Sequence, residues 1–133
     1  EVVPDVFYIT TSEIYTWNAS HLYRLDLNGW TPDKPVHPEP ILHFPEPVRA
    51  LNGSCVVAPG LILLADCFSS SIWRVDLNMR DGKPKASVWL RHDSMGYFPG
   101  QMKPEQPGVN GVQYYRSAAI FTTPVLRNSC SCE

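Results

Sequence analysis

No stretch of this chain approaches the run of about 20 apolar residues that a membrane-crossing helix needs. None carries the 3.6-residue apolar period of an amphipathic helix either. Charge is scarce: 18% of the 133 residues are Asp, Glu, Lys or Arg, and the formal net charge is −2. That balance gives no reason to expect a nucleic-acid partner or an anionic membrane surface. The four cysteines, Cys55, Cys67, Cys130 and Cys132, lack the paired Cys-x2-Cys spacing of a structural zinc site. His21, His37, His43 and His92 show no metal-ligand spacing, and surface or loop positions are the default for them. The sequence has no Gly-x-Ser-x-Gly elbow, phosphate loop or His-Glu-x-x-His, so no catalytic constellation is visible in it.

Proline is the residue in excess. Thirteen prolines are about twice the usual share of ~5%, which disfavours long helices and predicts frequent turns. With 44% hydrophobic and 11% aromatic residues the chain is not disordered, and its length allows one domain with a real core. It starts directly in strand-like sequence, "EVVPDVFYIT", with no basic signal-type segment. That reads as the cut end of a mature, processed or truncated protein. Two glycosylation sequons, at Asn18 and Asn52, together with a plausible disulfide predict a secretory route.

Internal repeats organise the rest. "HLYRLDL" (21–27) and "SIWRVDL" (71–77) share one pattern fifty residues apart, and "LNG" (51–53) recurs as "VNG" (109–111). "VFYIT" (6–10), "LILLAD" (61–66) and "AAIFTT" (118–123) fall at similar phases. A period in the fifties filled with short strands predicts propeller blades rather than solenoid helices. The complete unit reads as strands at 54–57, 61–66, 71–77 and 86–91, with turns at Ala58-Pro59-Gly60 and Asp81-Gly82. The expected fold is therefore all-β, a partial propeller over residues 1–123. It comprises the end of one blade (about 4–48), a whole blade (about 50–92) and the inner half of a third (about 108–123). Propellers need about four to eight blades to close. The expected partners are thus other copies of the chain, by self-association, or the remainder of a longer protein.

"PDVFYI…YRLDL", "LNG…ILLADCFSSSIWRVDL" and "MKPEQPGVNGVQYY…AIFTT" resemble consecutive blades of the fungal branch of the senescence-marker-protein/gluconolactonase family. The resemblance covers nearly the whole chain up to about Thr123. It implies a six-bladed β-propeller of which this chain holds the middle blades. Some fungal members are hetero-Diels–Alderases of secondary metabolism; others are divalent-metal-dependent lactonases. The implied function is a small-molecule-binding propeller, a cyclisation enzyme or a truncated paralogue of one. A metal-dependent lactonase is the alternative, and a non-enzymatic fragment or secreted binding module is the other. No cofactor is implied by the first reading; the lactonase would use Ca²⁺ or another divalent metal.

The family also assigns a role to the repeated Asn-Gly. Each inner strand would start at the mouth of a central channel. The glycine would supply a backbone angle other residues avoid, while Asn52 and Asn110 would project into one pocket. There they would serve as metal ligands if the protein is lactonase-like. Asp66 could reach that channel or orient Asn52. Cys55 and Cys67 could form a disulfide between adjacent strands or stay two buried thiols. Asp26 and Asp76 are expected to satisfy turns or pair with Arg24 and Arg74. The tail, 124–133, departs from the family pattern.

Overall fold

The computed structural model describes residues 3–13, 16, 19–45, 48–96, 108–123 and 130–132. Three antiparallel sheets follow one another along the chain. The first holds β1 (Val6–Thr11), β2 (His21–Asp26) and β3 (Glu39–His43), in that order. The second holds β4 (Leu51–Ala58), β5 (Leu61–Asp66), β6 (Ser71–Asp76) and β7 (Lys85–Arg91). In the third, β9 (Ala118–Thr122) lies between β8 (Gly111–Tyr115) and β10 (Cys130–Cys132). The fold is all-β and has the form of a partial propeller. The helical element among the described residues is a single 3-10 turn, Asp93–Met95.

Alternation along each strand decides which sheet meets which. In the second sheet Ile62 lies opposite Val75 and Leu64 opposite Trp73, all on one face. These four residues pack with Leu22, Phe44 and Val48 from the first sheet and its exit loop. On the other face Leu63, Ala65 and Ile72 pack with Met95, Val109, Val112 and Phe121 of the third-sheet side. The middle strands β5 and β6 are thus largely buried on both faces, as the near-continuous apolar run of β5 requires. Each fully buried aliphatic side chain of this kind contributes about 1.5–3 kcal/mol.

The repeat units adopt equivalent structures. Arg24 pairs with Asp26 and Arg74 with Asp76, each two residues apart on one strand face, as expected from the sequence. Both pairs are largely exposed and add little stability. Asn28 donates to Asp26 from its backbone and side chain, and these bonds, ahead of Arg24, hold the Asp26 carboxyl below its usual range. The turn between β4 and β5 is the predicted one, with Gly60 at φ +78°.

Three features differ from the sequence reading. β3 forms in a proline-rich stretch, tolerated because it lies at a sheet edge where Pro40 need not donate to a neighbour. β4 begins at Leu51, so Asn52-Gly53 lies inside the strand and not ahead of it. The sequence reading drew no strand in the tail, where Cys130–Cys132 pairs with β9, Cys130 opposite Phe121.

Candidate functional site

The inner strands of the three sheets converge on a cavity of about 350 Å³. Tyr8, Thr10 and Leu22 line it from the first sheet; Ser54, Cys55, Val56, Ile62 and Leu64 from the second; Gln113 and Tyr114 from β8. Its origin lies in the strand count. β5 has β4 on its inner side and β9 has β8, but β1 is itself the inner edge of its sheet. The second-sheet face opposite is therefore incompletely covered, and Val56 remains 40% exposed.

The lining combines an aliphatic floor of Leu22, Ile62 and Leu64 with hydroxyl groups on Tyr8, Thr10, Ser54 and Tyr114 and the amide of Gln113. Such a set can bury an apolar body and donate hydrogen bonds to a carbonyl oxygen. Among the described residues its lining has no carboxylate and no imidazole. Burial pushes the Cys55 thiol up, so it stays protonated near neutral pH and is a poor nucleophile. Sequence reading missed these residues. The available signal was the polar side chain in otherwise apolar inner strands, Ser54 in β4 and Gln113 in β8.

The residues singled out from the sequence sit elsewhere and do other work. Asp66 is fully buried, and its carboxylate accepts from the backbone N–H groups of Arg49 (3.4 Å), Ala50 (3.1 Å) and Phe68 (3.2 Å) and from Ser69 Oγ (2.6 Å). It fastens the approach to β4 onto the end of β5 and does not line this cavity. Asn52 is exposed and its side chain hydrogen-bonds the Cys67 thiol. Burial still pushes that thiol up, against the pull of Asn52. Asn110 is exposed too; its N–H donates to the Thr122 carbonyl (2.8 Å), and its own carbonyl accepts from Gly53 N–H (2.8 Å). Neither asparagine lines the cavity.

The glycines explain the repeated Asn-Gly differently from the expectation. Neither Gly53 nor Gly111 has a positive φ. A Cβ on Gly53 would stand 2.5 Å from the Asn110 carbonyl oxygen and 2.7 Å from Gly111 Cα. Gly53 is needed because two inner strands touch backbone to backbone there, not because of a special turn; a Cβ on Gly111 would meet only the Thr122 hydroxyl, at 2.9 Å.

The disulfide expectation also fails. Cys55 lies opposite Leu63, whereas Cys67 N–H bonds to the Ala50 carbonyl, five residues back along the chain. At about 3.3 Å per residue that gap exceeds the ~7 Å Cα limit of a disulfide, and both are free thiols. Asn18 lies outside the described residues. Among the described residues no three His, Cys, Asp or Glu side chains gather where a metal could be held. The described donors do not fit a Ca²⁺-type site, which takes six to eight oxygens, several from carboxylates. No protein-family model matches the chain, and no curated protein matches it.

Proposed function

We propose that the chain is the small-molecule-binding part of a propeller of fungal secondary metabolism, a hetero-Diels–Alderase-like cyclisation enzyme or a truncated paralogue of one. The observation that carries this reading is the cavity, apolar on its floor and lined with hydroxyl and amide groups. A pericyclic step requires two reacting groups held in contact. It is further helped by hydrogen bonds that polarise a carbonyl, here from Thr10, Ser54, Gln113 or Tyr114. It needs no acid–base dyad, and the lining offers none. The metal-dependent lactonase alternative draws no support from this lining.

The test is saturation-transfer NMR with β-ionone, a compact terpenoid enone of suitable polarity. Saturable micromolar binding is expected, abolished by Ser54→Trp, which fills the cavity. Gln113→Ala should weaken it about fivefold, as loss of one hydrogen bond of ~1 kcal/mol implies. No saturable binding, or binding indifferent to Ser54→Trp, removes the proposal. Metal-dependent hydrolysis of a lactone in the same preparation would favour the lactonase. Binding with no turnover of any diene–enone pair would favour a binding module.

Self-association belongs to the same proposal. The first sheet leaves Phe7 (37% exposed) and Ile9 (38%) uncovered on the face shared with Leu25 and Tyr23. The third leaves Tyr115 (58%) on its far side. Light scattering should give twice the 15.0 kDa of one chain; a single-chain mass at every concentration would refute it.

A further inference from the structure

We propose that the open edge of β1 beyond Val6 accepts an added strand, an extended polypeptide segment headed by Asn-Gly, which pairs antiparallel with residues 7–11 and closes the open side of the cavity. The repeat makes the case. Val6 lies opposite Asp26 just as Leu61 lies opposite Asp76, so β1 is the counterpart of β5. β5 carries β4 on its inner edge and β9, the corresponding strand of the third sheet, carries β8. Among the described residues that edge of β1 is met only at its first residue, where Val6 N–H donates to the Val3 carbonyl (3.0 Å); no strand runs along the rest of it. An unpaired edge presents a row of backbone N–H and C=O groups, the template for strand addition.

The occupant's chemistry follows from the two inner strands already in place. Both are headed by Asn-Gly, and Gly53 N–H donates to the carbonyl of Asn110 in the next inner strand. By the same geometry the added strand's glycine N–H would donate to the carbonyl of Asn52. In the third sheet Val112 is buried beneath Cys55 and Val57 of β4. Its counterparts in the second sheet, Ser54 and Val56, stay exposed, and the inward side chains of the added strand would cover them. The proposal uses the same cavity as the ligand-binding reading but does not depend on it.

The probe is a synthetic peptide of residues 108–116, GVNGVQYYR, added to the whole chain while amide exchange is followed by mass spectrometry. Expected is saturable binding with protection of the β1 amides and no change at the outer edges of β3 and β7. A peptide with Gly111→Val should bind about tenfold more weakly, because its side chain meets backbone, and a scrambled peptide not at all. Protection absent from β1, placed at another edge, or given equally by the scrambled peptide overturns the proposal. So does a chain of doubled mass whose β1 amides are protected before any peptide is added, since a second copy would then hold the edge. No small molecule is present in this experiment, so its failure leaves the ligand-binding proposal standing.

Discussion

Substituting alanine for Gly53 lowers the stability of the chain by about 2–3 kcal/mol. Strand propensity alone points the other way, since glycine in a strand costs about 0.5–1 kcal/mol relative to alanine. Contact decides the sign. The new methyl would sit 2.5 Å from the Asn110 carbonyl oxygen, 2.7 Å from Gly111 Cα and 2.9 Å from Val112 N, all of them backbone atoms that cannot rotate aside. The second and third sheets must separate to admit it, weakening the Gly53–Asn110 hydrogen bond and the packing of Val112. Gly111→Ala is the internal control. Its Cβ meets only the Thr122 hydroxyl, at 2.9 Å, a side-chain end that can turn away; the cost should stay under about 1 kcal/mol. Urea unfolding measures both. If the Gly53 variant is as stable as the parent, backbone contact is not why glycine is there.

Asp66→Ala has the larger effect, a loss of about 4 kcal/mol. Four donors converge on one carboxylate with no exposed surface. Removing it leaves three backbone N–H groups without their acceptor. In a domain with about 5–15 kcal/mol of total stability, such a loss brings the chain close to unfolding. Asp66→Asn keeps the shape and one acceptor oxygen but turns an NH₂ towards a donor, and should cost about 2 kcal/mol. Circular dichroism during thermal unfolding separates the two roles considered for this residue. A channel ligand could be replaced with little change in melting; the buried anchor described here could not.

Much of the architecture was legible in the sequence because it rests on short-range periodicity. The shared pattern of "HLYRLDL" and "SIWRVDL" located two equivalent strands, and the Arg-x-Asp spacing within them foretold the ion pairs of Arg24 and Arg74. The Pro59-Gly60 signal set the β4–β5 hairpin. The disulfide error was avoidable on the same grounds. Counting back from that turn brings Cys67 alongside residues 50–52, well past Cys55.

The site was less legible, for a physical reason. Three of the four donors to Asp66 are backbone N–H groups, which no residue letter marks. The reason for Gly53 lies in a strand 58 residues away, and Asn-Gly is so familiar a hairpin signal that it hid a contact between sheets. The cavity is defined by a pairing that β1 lacks. A sequence displays the strands that exist; it does not display an edge left without a neighbour.

The order in which faces meet has a consequence for how such a molecule grows. Tyr23 and Leu25 point the same way along the stack as Trp73 and Val75 in the next repeat, and Leu22 points the other way with Ile72. Every sheet thus has a head and a tail, and each joint unites unlike halves. A stack built this way has a polarity, like a polymer with two different ends. Duplicating one unit in the gene adds a layer whose both contacts are already specified, while an inverted or shuffled layer would find no matching face.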